Sequence, residues 1–248
     1  MNLIPVAGLP EIAEGDPLGE LIAGRSELRD GDVVAVAQKV VSKAEGRRVR
    51  LSEVKPGERA VAFAASLGKD PGLVELILRE SRRIVRSERV LIVETHSGLV
   101  CANAGVDSSN SGGGPDGDDE VILLPRDPDA SARRLRAELR EASGCLLAVV
   151  VTDSFGRPWR VGQSEVAIGC AGISPLDDWR GRRDRDGREL AATEIAIADE
   201  IAAASDLVRD KASGIPAVIV RGLAARVTDE DGPGAAALRR APADDLFR

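Results

Sequence analysis

The sequence predicts an α+β fold in which mixed sheets are covered by packed helices. Short Val-rich apolar runs of strand length recur along the chain. Between them lie longer stretches whose apolar residues return at helical spacings. The two kinds of segment do not alternate with the regular period of a doubly wound sheet, which favours α+β over a Rossmann-type arrangement.

Taken in order, residues 33–41 form the first predicted strand, and residues 58–67 and 73–85 have helical character. Strands are expected at 90–94 and 121–124, separated by the Gly-rich stretch 112–119, which reads as a mobile loop beside Asn110. A helix over 128–142 is the clearest element. Asp127 is placed to cap it, Pro128 suits its first turn, Gly144 follows its end, and Ala132, Leu135, Leu139 and Ala142 form one apolar stripe. The run 146–151 reads as a buried strand, 192–208 as a helix packing Ile195, Ala198 and Ile201, and 217–220 as a further strand. Residues 1–227 are expected to form one functional unit, as a single domain or two joined lobes. The Asp-, Ala- and Pro-rich tail 228–248 is expected to be poorly ordered.

Composition bounds the function. The chain has 248 residues, 43% of them hydrophobic, enough for a substantial core. A net charge of -7 argues against a general nucleic-acid binder, and aromatics at 2% with no Tyr argue against base stacking. The sequence has no membrane-length apolar run and its N-terminus lacks a basic region followed by an apolar stretch, so a cytoplasmic protein is expected. Cys101, Cys145 and Cys170 are far apart with no Cys-x-x-Cys pair and read as reduced, mostly buried thiols. No Gly-x-Gly-x-x-Gly opens a helix after a strand and no Walker loop occurs, so any nucleotide must be held another way.

Two motifs stand out. In one, residues 102–110, Asp107 lies among hydroxyls and amides. In the other, residues 152–163, Asp153 and Ser154 stand where the apolar run ends and a Gly/Pro-broken loop is expected. Hard oxygens held by a sheet suit a divalent cation, and Arg157 and Arg160 nearby suit phosphate or carboxylate. The competing reading is an Asp that caps a turn beside solvated arginines. Lys39 and Lys43, two of only five lysines, would share one face of an extended segment and grip phosphate, or simply guard a sheet edge. Glu165 would add a ligand or bind solvent, and the solitary His96 gives no triad.

Several motifs occur together and in register: Leu9-Pro10-Glu11-Ile12, the run 38–47 beginning Gln38-Lys39, the run 101–110, Thr152-Asp153-Ser154-Phe155-Gly156-Arg157-Pro158-Trp159-Arg160, and Ile215-Pro216 to Arg221-Gly222. In this the chain resembles the coenzyme F420:L-glutamate ligases over residues 3–223. The resemblance implies a GTP-dependent amide ligase that adds L-glutamate to a deazaflavin precursor by way of an acyl phosphate, releasing GDP and phosphate. It further implies Mg or Mn, two ions, with a monovalent cation, and an intertwined homodimer. By position, Asp107 and Asp153 would hold one divalent ion and Ser154 a second. Asn110 would touch the nucleotide, Leu9, Pro10, Glu11 and Ile12 would line it, and Lys43 would contact its phosphates beside Lys39 and Gln38. Relatives often carry a Met-Gly-Gln segment, whose Gln reaches the second metal, where this chain reads Arg209-Asp210-Lys211. A charged lysine cannot ligate a cation. Two other readings of these residues are a metal-dependent nucleotide phosphohydrolase and a non-catalytic GTP-binding module.

Overall fold

The computed structural model of the chain describes residues 1–107, 120–210 and 213–245. The described strands are β1 (Asn2–Val6), β2 (Val33–Ala37), β3 (Arg48–Arg50), β4 (Ser81–Arg86), β5 (Ile92–Thr95), β6 (Val100–Ala102), β7 (Glu120–Ile122), β8 (Ala148–Arg157), β9 (Arg160–Ala171), β10 (Asp177–Asp178), β11 (Glu194–Ile195) and β12 (Ala217–Arg221). The described α-helices are α1 (Leu18–Ala23), α2 (Gln38–Ala44), α3 (Glu58–Leu67), α4 (Pro71–Arg79), α5 (Pro128–Ser143) and α6 (Ile197–Asp206). The architecture is the expected mixed α+β with several sheets.

A five-stranded sheet in the order β1-β12-β2-β8-β9 forms the centre, with only the β2–β8 pair parallel. Its strands are apolar on both faces because both are covered. Val34, Val36, Val149, Val151 and Ile219 pack against Ile22 of α1 and Leu135 and Leu139 of α5. The alternate residues Val33, Ala35, Ala148, Val150, Val218 and Val220 pack against Ala198 and Ile201 of α6. Side chains of a strand alternate in direction, so one run supplies both cores. Between α2 and α5 the chain builds a second lobe. There β3 pairs with β7, β4-β5-β6 form a small sheet, and α3 and α4 close a core of Ala60, Ala64, Val74, Ile77, Leu91, Val93 and Ala104.

The N-terminus of α5 fastens the structure. Asp127 caps it by accepting from Ala130 N at 3.0 Å, and Pro128 occupies its first turn. The next residue, Asp129, accepts from Cys170 N at 3.0 Å, Ala235 N at 2.6 Å and Ala236 N at 3.1 Å. Gly169 allows this approach, since a Cβ there would lie 2.1 Å from the Pro128 carbonyl oxygen. Two turns on, buried Arg136 donates to the Leu147, Thr228 and Asp229 carbonyls and to Asp231. The segment from Thr228 to Ala236, within the stretch that composition marks as a tail, is thus tied to the core.

Four expectations need correction. The predicted strand 33–41 stops at Ala37, and Gln38 begins α2 with no side-chain cap to mark the change. The predicted helix 73–85 ends at Arg79, and the polypeptide turns back as β4. The helix over 192–208 begins only at Ile197, Glu194 and Ile195 pairing instead with β10. The loop expected after Val151 is absent. Strand β8 continues through Asp153 and Ser154 to Arg157 and returns as β9. Among the described residues, no helix is long and apolar enough to cross a membrane.

Candidate functional site

Helix α2 organises the candidate site. Lys39 and Lys43 are one turn apart, so they share a face, through helical rather than extended geometry. Lys39 Nζ lies 2.9 Å from Asp107 Oδ2. Lys43, its side chain only 7% exposed, donates from Nζ to Glu11 Oε1 at 2.5 Å. Arg48 on β3 reaches the same Glu11 oxygen at 2.5 Å and donates to the Ile12 carbonyl at 3.1 Å. Burial acts to raise the Glu11 carboxyl, but the hydrogen bonds and charges of Lys43 and Arg48 outweigh it and hold the group below the usual range. The 9–12 segment is therefore joined to the lysine helix. Ile12 is buried in the main core and Leu9 packs against it, which leaves exposed Pro10 and Glu11 as the outward side chains. Gln38 turns inward, where its Oε1 accepts from Ser42 Oγ at 2.9 Å.

Asp153, on β8, lies near enough to Asp107 for the charge of one to act on the other. Its carboxyl is pushed up to about 7, first by desolvation, then by the negative charge of Glu165, with Asp107 adding to the rise; the Ser154 backbone N–H and Lys39 oppose it. Two aspartates from distant parts of the chain thus crowd one region. Glu165 on β9 is buried there. Its Oε1 accepts from Ser154 Oγ at 2.5 Å and its Oε2 from Arg209 NH2 at 3.0 Å. The Ser154 hydroxyl is thereby the donor in its bond to Glu165. Cys101, buried on β6, is raised to about 12 by desolvation and by the nearby Asp153 charge.

The turn that delivers Asp107 is unusual. Asn103, Ala104 and Gly105 all have left-handed backbones, with φ of 52°, 56° and 68°. Only glycine adopts this conformation freely, and sparsely populated backbone of this kind clusters at functional loops. Asp107 itself is fixed by a two-way backbone bridge to Ile122 on β7.

Asn110 and Lys211 lie outside the described residues. Arg157 and Arg160 do not join the site. They pair at the exposed far end of the β8–β9 hairpin, four residues beyond Asp153, which is about 13 Å of extended chain. Arg157 there donates to the Val161 and Gly162 carbonyls. Arg48 and Arg209 were not legible as site residues. The only signal for Arg209 was the departure of residues 209–211 from the Met-Gly-Gln pattern. His96 bonds to the Arg79 carbonyl, and all three cysteines are free thiols. Among the described residues no three His, Cys, Asp or Glu side chains converge tightly enough to cage a metal by themselves.

Carboxylates crowded together beside lysines and arginines on fixed elements are an arrangement characteristic of the enzyme class of site. The sequence comparisons agree with that class. Residues 8–222 match the model of the F420-0:Gamma-glutamyl ligase family, and the chain belongs to that family. A relative from Methanopyrus kandleri named coenzyme F420:L-glutamate ligase is 48% identical, aligned over 100% of this chain and 98% of its own length. Its namesake from Methanothermobacter thermautotrophicus is 46% identical over 100% and 99%. Another, from Halobacterium salinarum, is 46% identical over 89% of this chain and 87% of its own.

Proposed function

We propose that this protein is a cytoplasmic, GTP-dependent ligase that joins L-glutamate to the deazaflavin precursor of coenzyme F420, using Mg or Mn and acting as a homodimer. The names of its relatives support the amino acid and the acceptor. The observation that carries the chemistry is the crowding of Asp153 by Glu165 and Asp107, with Lys39 as an opposing charge. Such a site favours a further cation.

The donor set fits a divalent ion. Mg is commonly held by one or two carboxylates together with substrate phosphates, so a closed protein cage is not required. Asp107 and Asp153 would hold one ion and Ser154 a second. A bound divalent ion offsets phosphate charge and polarises phosphoryl oxygens. The residues of the chain do the rest. Lys43 and Arg48, now paired with Glu11, face the triphosphate, and the 9–12 backbone borders the nucleotide. The precursor carboxylate attacks the γ-phosphorus and GDP departs. The glutamate amine then opens the acyl phosphate, forming the amide and releasing phosphate and a proton. The hairpin tip, where Trp159 is 80% and Val161 96% exposed, is the surface we assign to the second copy.

The test is mass spectrometry of the deazaflavin precursor after incubation with GTP, Mn and L-glutamate. A glutamyl mass increment that requires all three is expected. GTP consumed without either acceptor would replace ligation with phosphohydrolysis, and an unchanged precursor with intact GTP would overturn the proposal.

A further inference from the structure

Arg209 follows α6 and points back into the protein, with 6% of its side chain exposed. Its NH2 donates to Thr152 Oγ1 at 2.9 Å and to Glu165 Oε2 at 3.0 Å. These bonds fix the guanidinium beside the strand that carries Asp153 and Ser154. A guanidinium placed only to neutralise Glu165 would normally present two nitrogens to the two carboxylate oxygens. Here one nitrogen makes both contacts, and the second Glu165 oxygen belongs to Ser154. Nε and NH1 are screened from solvent and meet no acceptor among the described residues. Unfilled buried donors on a group that cannot lose its charge are costly to the folded protein.

We propose that Arg209 is a substrate-binding residue whose Nε–H and NH1 groups receive an oxyanion, a carboxylate or phosphate oxygen, delivered beside Asp153. The ligand's identity rests on the ligase reading, which supplies two sources for that oxygen: L-glutamate and the triphosphate of GTP. Thr152 and Glu165 hold the guanidinium in position before substrate arrives, so its orientation need not be established on binding.

The test compares wild type with Arg209→Lys and Arg209→Met, varying L-glutamate and GTP separately. Arg209→Met leaves Glu165 buried without its cation, so Glu165→Gln and the double variant Arg209→Met/Glu165→Gln provide a charge-neutral pair that keeps the question open if the single variant misfolds. We expect KM for one of the two substrates to rise about 10- to 100-fold when Arg209 is lost, with the other little changed and Arg209→Lys in between. A shifted KM for glutamate assigns a carboxylate, and a shifted KM for GTP assigns a phosphate. Folded variants with both constants unchanged, in the single or the neutral pair, would reduce Arg209 to a structural role and overturn the proposal. Calorimetric titration of the same variants with L-glutamate and with GTP needs no turnover. An inactive wild type would therefore count against the ligase reading, while equal binding by wild type and variants would count against Arg209.

Discussion

Replacing Asp153 with Asn keeps the shape of the side chain and removes one charge from the crowded region. The wild-type carboxyl sits at about 7 instead of 3.8, a displacement equal to about 4 kcal/mol against its ionised form. Asp153 keeps some solvent contact, so screening reduces what is recovered to about 1–2 kcal/mol. For a chain of this size that is about 2–8 °C in Tm. The sign follows from proton binding. Between about pH 4 and pH 7 the folded protein holds the proton more tightly than the unfolded chain, so wild-type stability falls as pH rises through that window and levels off above it. Thermal unfolding with chelator present should therefore show Asp153→Asn matching wild type near pH 4 and exceeding it at pH 8.5. Adding Mn should reverse the order, because only the wild type gains a bound cation. A variant less stable than wild type at pH 8.5 without metal would refute the electrostatic crowding.

Other outcomes follow from the same geometry. Gly169→Ala drives a Cβ to within 2.1 Å of the Pro128 carbonyl, and should cost about 3 kcal/mol or more in urea unfolding. Asp129→Ala strips an acceptor from three backbone N–H groups, and should cost about 2–4 kcal/mol and expose the region around Ala235 to limited proteolysis. Lys43→Ala should weaken GTP binding about 10- to 100-fold by calorimetry, with the melting temperature much less affected. Cys101 and Cys170, each raised to about 12 mainly by burial, should resist alkylation in the native protein at pH 8, with only Cys145 open to modification.

Much of the fold is written in local pattern. The apolar runs at 33–37, 148–151 and 217–220 are strands because each feeds two cores by alternation. Asp127, Pro128 and Gly144 bound α5 as helix-start and helix-stop chemistry requires. Other features depend on tertiary context. The strand-to-helix change at Gln38 has no capping side chain, so the apolar run continues straight across it. The hairpin beyond Val151 loses its apolar character because it extends into solvent, and polar strand reads as loop. Strand β1 is an edge strand containing Pro5, whose missing N–H a central strand would not tolerate. At the site, Asp107, Asp153 and the lysines declare themselves by residue type. The Arg209–Glu165 contact spans 44 residues and depends on where α6 ends, which no local pattern encodes.

The proposal that Asp107 and Asp153 share one cation is most directly tested by anomalous diffraction from crystals grown with Mn and GDP. A manganese peak bridging the two carboxylates and a phosphate oxygen is expected. A fully occupied manganese elsewhere, with both aspartates unliganded, would contradict it.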